Sequence, residues 1–272
     1  FNSQKLCIVG DYIKPYYRDV ISYDFAKKNC EEKSKLLTKY MCNAVYNISK
    51  YSDRKIWLAL TAGTDSRITL AALLKMNIPF STYTFHHEAI SRGDKNIPLK
   101  LADKYGFDHI IIKRAYSKAD KKLLRKYDEH TFYGIDDADR KFYGYGQYAQ
   151  IPDDAITIKS VFEICRGFYY KKIRTQEDFE RKIRAHYPDI DTYSNYHESI
   201  DMWFKWANEN TNHMDIRDRF YMEERIGGWL SALQQSLDMF PMVQIQITNC
   251  SAILSAGYWY SQQDKEENRI VY

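Results

Sequence analysis

Ten consecutive residues, Leu58-Ala59-Leu60-Thr61-Ala62-Gly63-Thr64-Asp65-Ser66-Arg67, combine small side chains, hydroxyls and opposite charges in an order suited to anion chemistry. An apolar run, Ile56 to Leu60, leads into a small-residue loop. The loop ends in Asp-Ser-Arg and opens an amphipathic segment, Ile68 to Met76. That order predicts a strand, a tight loop and a helix N-terminus. A helix N-terminus presents free backbone N–H groups and a partial positive charge, both of which suit a phosphate. Gly63 allows the backbone to come close to an anion. Asp65 or Ser66 is expected to cap the helix, and the Ser66 hydroxyl can also donate to a phosphate oxygen. The alternative is a plain strand-loop-helix turn, because one glycine-containing loop is a weak signal.

The letters say more than the spacing. Thr61-Ala62-Gly63-Thr64-Asp65-Ser66 resembles the Ser-Gly-Gly-x-Asp-Ser loop of the PP-loop ATP pyrophosphatases, and with Arg67 it is most similar to the asparagine synthetase-like branch. The resemblance implies that Leu60, Thr61, Ala62, Gly63, Thr64, Asp65, Ser66 and Arg67 hold the pyrophosphate of ATP. It implies that Thr84 and Phe85, at the end of the next strand, contact adenine through backbone groups. Two departures stand out. Thr61 replaces Ser and keeps a hydroxyl, while Ala62 replaces the first Gly and adds a β-carbon.

A second segment, Ile158-Lys159-Ser160-Val161-Phe162-Glu163-Ile164-Cys165-Arg166-Gly167-Phe168-Tyr169, resembles the family's Ser-Gly-x-Gly-x-Asp-Glu-x-x-x-Gly-Tyr stretch without its early glycines. In the family its carboxylates hold magnesium, so Asp65 and Glu163 are the implied metal pair. Mg²⁺ commonly takes one or two carboxylates plus phosphates and waters. Lys159 and Arg166 would offset charge on departing pyrophosphate. The plain reading is a Glu163–Arg166 ion pair at a strand end and two surface cations. Asp94 to Gly106 and Phe220 to Trp229 also resemble family segments, with Arg225 and Trp229 on one helical face near an acceptor site or simply packed. The charges of Asp215–Arg225 otherwise read as a solvated helix face with local ion pairs. His86 and His87 are adjacent and point to opposite sides of an extended segment, which argues against a shared metal.

These groups need a scaffold. Strands are expected at Cys7–Val9, Ile56–Leu60, Pro79–Phe85, His109–Ile112 and Ala155–Ile158, with His109–Ile112 a fully covered parallel strand. Helices are expected at Tyr23–Ser49, from Ser66, at Asp94–Tyr105 with Gly106 as its stop, at Lys118–Tyr127, and then at Gln176–Ala185, His197–Asn208, Arg217–Leu237 and Gln246–Tyr258. The alternation predicts an α/β fold, a parallel sheet of the PP-loop (adenine nucleotide alpha hydrolase-like) type with a helical C-terminal portion. Residues 1–50 form a lead and a helix, read as the remnant of an upstream region. Residues 51–272 form the synthetase-like domain.

Composition narrows the class. With 272 residues, 44% hydrophobic and 28% charged, the chain can bury a sizeable core. A net charge of +4 does not argue for nucleic acid. No apolar run is long enough for a bilayer and no secretory signal is visible, so a cytoplasmic protein without a membrane partner is expected. Five scattered cysteines with no Cys-x-x-Cys pair fit a reducing compartment and disfavour zinc, iron–sulfur or sulfur-relay chemistry. Tyr is frequent, with 24 residues, and clusters such as Tyr143-Gly144-Tyr145-Gly146 and Phe168-Tyr169-Tyr170 read as half-buried core or as a substrate rim.

The expected activity is ATP- and Mg²⁺-dependent conversion of a carboxylate to an acyl-adenylate. Ammonia or an amine then gives an amide, with release of AMP and pyrophosphate. Phe1 cannot serve as the terminal Cys of a glutaminase, so nitrogen is expected from ammonia, an amine or a partner glutaminase. The rivals are another PP-loop enzyme that modifies nucleotides or nucleic acid, and a non-catalytic nucleotide-binding or scaffold protein.

Overall fold

Strand β3 (Lys55–Ala59) shows why a sheet forms at the motif. Ile56 and Leu58 point to one face and are buried, while Trp57 and Ala59 point to the other. The computed structural model describes residues 4–9, 12–17, 25–113, 125–126, 129, 146–167, 169, 173, 175–185, 196–209, 215–231, 234, 237 and 240–271. Within them β3 pairs in parallel with β4 (Ser81–His86) and with β6 (Ala155–Lys159). β4 pairs with β5 (Asp108–Lys113), and β6 with β7 (Val243–Gln246), again in parallel. The order is β5-β4-β3-β6-β7. A separate antiparallel hairpin, β1 (Gln4–Val9) and β2 (Tyr12–Tyr17), precedes it.

Chain order runs outward from β3 to β5 on one side and from β6 to β7 on the other. The direction therefore reverses between β3 and β6. In open parallel sheets ligands sit outside the carboxyl ends of the strands at such a switch point. The loop after β3 and the segment after β6 both leave the sheet there.

One face carries the main core. Helix α1 (Cys30–Tyr51) turns Leu37, Met41 and Val45 inward at four-residue spacing. They pack with Leu70 and Leu73 of α2 (Thr64–Lys75), with Ile56, Leu58, Ile156 and Ile158 of the sheet, and with Ile253 and Ala256 of α8 (Ser251–Trp259). Truncating Leu58 or Ile158 to Ala would cost about 2–5 kcal/mol. The opposite face gathers Tyr83, Ile112, Tyr148, Leu237 and Met242 around Trp57 and Phe85. A third cluster joins α5 (Gln176–Ala185) to α6 (Tyr196–Glu209) through Phe179, Trp203 and Phe204. The α/β fold with a helical C-terminal portion is the one expected. Among the described residues no helix is long and apolar enough to cross a membrane.

Several elements differ from expectation for physical reasons. Helix α1 starts at Cys30, because Asn29 and Glu32 form a reciprocal capping box with both bonds at 2.9 Å. Helix α2 starts at Thr64, with Gly63 in the cap position and no side-chain cap. Neither Asp65 nor Ser66 caps it, since each lies inside the first turn. β5 is an edge strand, and Ile110 and Ile111 are 36% and 37% exposed. Val243–Gln246, of which only Gln246 is expected in an element, at the start of a helix, is a strand whose Val-Gln-Ile-Gln alternation has period two. The charges at 215–225 are not a solvated face. Arg217, Asp218, Arg219 and Glu223 are buried in α7 (Ile216–Phe220) and the π-helix Tyr221–Leu230 that continues it. Lys265 of α9 (Gln262–Glu266) pairs with Asp218, and Arg219 donates to Glu223 at 3.2 Å. Helix α3 (Arg92–Tyr105) ends at Gly106 as expected, with φ +70°. Most of the helix expected at Lys118–Tyr127, and Tyr143–Tyr145, Phe168 and Tyr170, lie outside the described residues. Tyr169 packs on Phe179 and Phe220.

Candidate functional site

The loop between β3 and α2 is held by its own side chains. Thr61 N–H donates to Ser66 Oγ at 3.1 Å, and Gly63 N–H donates to Thr61 Oγ1 at 3.0 Å. Ala62 N–H donates to Asp94 Oδ1 at 2.7 Å. Ser91, the cap of α3, donates its hydroxyl to the other oxygen of Asp94 at 2.9 Å. A β-carbon on Gly63 would stand 3.0 Å from Thr61 Oγ1, a tight contact that the Thr61 side chain would have to relieve. A β-carbon on Gly93 would stand 3.3 Å from the Ala62 methyl, so α3 sits tightly against the loop. The amides of Thr64 and Asp65 follow. They open a twelve-residue helix and precede its first internal acceptor. Arg67 stands on the exposed side and donates from Nε to Gly63 O at 3.3 Å.

Asp65 joins the two motif segments. Its Oδ2 accepts Phe162 N–H at 3.1 Å, and its backbone carbonyl accepts the Ser160 hydroxyl at 3.0 Å. Its Oδ1 lies 2.8 Å from Arg166 Nη2, an ion pair whose angle is not that of a hydrogen bond. Arg166 belongs to α4 (Glu163–Arg166), the short turn after β6 that ends at Gly167 with φ +60°. A lone carboxylate in the first turn of α2 would repel an incoming phosphate. Arg166 offsets the charge of that carboxylate. The Arg166 partner is therefore Asp65, whereas the plain sequence reading paired it with Glu163. Glu163 is placed at the start of α4, directly after the Phe162 amide that Asp65 holds. Cys165 is fully buried there, and burial pushes its thiol up to about 12.

β4 outruns β3. Pairing ends at Ala59 and Tyr83, with Leu60 N–H donating to Tyr83 O at 2.9 Å. Phe85, two residues on, turns its backbone N–H and C=O the same way, past the end of β3. Its ring packs edge-on against Tyr148, with centroids 4.9 Å apart. Thr84 points to the other face and donates to Leu60 O at 2.5 Å. His109 on β5 spans the pair of threonines. Its Nδ1 is 2.7 Å from Thr82 Oγ1 and its Nε2 is 3.4 Å from Thr84 Oγ1. Burial, then the neighbouring His86, lowers the His109 pKa from its ordinary value.

Lys159 ends β6 and donates from Nζ to Tyr148 Oη at 2.7 Å. The same Nζ lies 5.0 Å from the ring centroid, beyond the hydroxyl end, so this is a hydrogen bond rather than a cation over a ring face. Among the described residues no group of three or more His, Cys, Asp or Glu side chains could hold a metal. Magnesium on Asp65 would require the Arg166 guanidinium to leave it. Arg225 is exposed, with its guanidinium 5.9 Å from the Tyr221 ring centroid.

No family model matches the chain, and no curated protein matches it. Among solved structures it is similar to NMN synthetase from Francisella tularensis, at 15% identity and a TM-score of 0.30. The match covers 52% of this chain and 59% of that one, less than two thirds of its length.

The sheet brings Thr61–Arg67, Thr84, Phe85, Lys159 and Arg166 to its carboxyl edge. Sequence reasoning missed four residues that shape this edge: Ser160, Tyr148, His109 and the carboxylate of Asp94 as a partner of the loop. Only Asp94 carried a signal, since Ser91-x-x-Asp94 has the spacing of a helix cap.

Proposed function

We propose that this chain binds ATP at the β3–α2 turn and activates a carboxylate as an acyl-adenylate, which ammonia or an amine converts to an amide. The observation that carries the reading is the Asp65 tie. It brings the two motif-like segments, 61–67 and 159–166, together at the switch point of a parallel sheet. The α2 amides and Arg67 would take the pyrophosphate, and the open backbone of Phe85 would meet the adenine edge. In-line attack of the carboxylate oxygen on the α-phosphate forms the mixed anhydride and breaks the bond to pyrophosphate. Nitrogen then attacks the acyl carbon and AMP leaves. The chain's contribution is positioning and fixed charge. Asp65, as paired here with Arg166, does not present a magnesium site.

One observation favours a second reading, a nucleotide-binding protein without turnover. The amides of Thr61, Ala62 and Gly63 are all engaged by the chain's own side chains. A single assay separates the two. ATP with a panel of carboxylates and hydroxylamine should yield AMP, pyrophosphate and a hydroxamate. ADP and phosphate would overturn the acyl-adenylate reading. Tight ATP binding with no turnover would establish the second.

A further inference from the structure

Two glutamines pin the turn at 146–151 to the carboxyl edge of the sheet. Gln150 Nε2 donates to the carbonyl of Lys113, which ends β5, at 3.0 Å. Gln147 Nε2 donates to the carbonyl of His86, which ends β4, at 3.5 Å. The turn itself is closed by Ile151 N–H, which donates to Tyr148 O at 3.0 Å. Tyr148 is thereby laid across the strand ends. Its ring packs on Phe85 of β4 and on Phe240, with centroids 4.9 Å and 5.8 Å away. Its hydroxyl accepts from Lys159 at the end of β6. β3 lies between β4 and β6, so Tyr148 bridges two strands roughly 10 Å apart, over the switch point of the sheet.

Lys159 stands beside the β3–α2 loop. Leu58 of β3 pairs with Ile158 of β6, so Lys159 is level with Ala59, just before the loop begins. The next residue, Ser160, reaches the first turn of α2 through its bond to Asp65 O. The two cations of this segment differ in what they have left. Arg166 is paired with the Asp65 carboxylate. Lys159 has no carboxylate partner among the described residues, and its hydrogen bond goes to the Tyr148 hydroxyl. A phenol hydroxyl fixes an ammonium without cancelling its charge, and leaves further N–H groups to donate. A half-buried cation is costly to keep without an anion, so its counter-charge is expected from a ligand.

We propose that Tyr148 is a positioning residue, whose hydroxyl aims the Lys159 ammonium at the pyrophosphate part of a nucleotide bound on the α2 amides. The inference rests on the proposed ATP site and deepens it. One side chain touches Phe85, on the adenine side, and Lys159, on the phosphate side. The ring is buried and held by the two phenylalanines, so the hydroxyl that carries Lys159 has a fixed place. A long, flexible lysine held in this way has less rotamer freedom to lose when an anion arrives.

Calorimetry on the whole chain with inorganic pyrophosphate, ATP and AMP tests it, in Tyr148→Phe, Lys159→Met and the double variant. Tyr148→Phe keeps the ring and removes the hydroxyl. Each single variant should bind pyrophosphate and ATP about tenfold more weakly, and AMP within about twofold of wild type. The double variant should bind no more weakly than Lys159→Met, because Tyr148 acts only through the lysine. Equal losses for ATP and AMP would mean that the hydroxyl serves the fold, and would overturn the inference. Additive losses in the double variant, or wild-type pyrophosphate affinity in Tyr148→Phe, would overturn it too. Turnover with the carboxylate panel keeps the two readings apart. The expected binding pattern without any hydroxamate refutes the proposed reaction and leaves the role of Tyr148. Hydroxamate formation with unchanged kcat and KM for ATP in Tyr148→Phe refutes that role and leaves the reaction. A wild-type chain that binds neither pyrophosphate nor ATP refutes both.

Discussion

The Asp94 carboxylate accepts the Ala62 amide hydrogen at 2.7 Å, so an anion from the start of α3 already stands on the β3–α2 loop. Ser91 fixes the second oxygen of that carboxylate. The contact aligns the loop and also places a negative charge beside the expected phosphate position. Asp94→Asn keeps an acceptor oxygen and removes the charge. Loss of one like charge in partly solvated surroundings is worth about 1 kcal/mol, or roughly fivefold in affinity. Inorganic pyrophosphate should therefore bind Asp94→Asn more tightly in calorimetry. Weaker binding would mean that the carboxylate supports the loop without competing for its amides.

The Asp65–Arg166 pair predicts a pattern across three variants. Arg166→Met leaves Asp65 uncompensated in the first turn of α2, so ATP affinity should fall by about tenfold. Asp65→Asn with Arg166→Met removes the repulsion too, and should recover part of that loss. In thermal melts the double variant should be more stable than the sum of the single effects by about 0.5–3 kcal/mol. Additive behaviour in both assays would rule out a coupled pair.

The β3–α2 turn was legible because its signals are local. A buried strand, a small-residue loop and an amphipathic helix follow one another within twenty-odd residues, and each has its own periodicity. Gly106 was legible for the same reason, as a glycine after a periodic run. The partner of Ala62 was not, because Asp94 lies 32 residues away and reaches the loop only once β4 has paired with β3. β7 was missed because four residues between helical neighbours carry too short a pattern. The edge position of β5 was hidden for a different reason. A β-branched run reads the same in a central strand and at an edge, and strand order is not a local property. The buried charges of α7 misled because their partners, such as Lys265 for Asp218, come from distant helices.

Thr84 predicts a specific loss. It is buried, and its hydroxyl donates to the carbonyl of Leu60, where the loop begins. Thr84→Val keeps the shape and removes the donor, and should destabilise the fold by about 1–3 kcal/mol in urea unfolding. Thr84→Ser should restore most of that. Equal stability of the Val and Ser variants would remove the hydroxyl from the account.

His109 predicts a pH dependence with a definite sign. Burial, then the neighbouring His86, holds its folded pKa below the ordinary 6.5. His86 shifts the same way, by burial and then by Lys95, His87 and Lys113. A depressed histidine pKa means that the unfolded chain binds the proton more readily. Stability is therefore full above the unfolded value of 6.5 and declines as pH falls below it, until the folded pKa is passed. Asp215 is lowered from 3.8, because its Arg217 bonds outweigh the opposing effect of burial. It loses its contribution only in a more acidic window, so measurements from about pH 8 to about pH 5 isolate the histidines. The urea midpoint should stay level down to the unfolded value of 6.5 and fall at lower pH, and His109→Gln should flatten that fall. A midpoint that rises on acidification, or a slope unchanged in His109→Gln, would exclude His109 as its source.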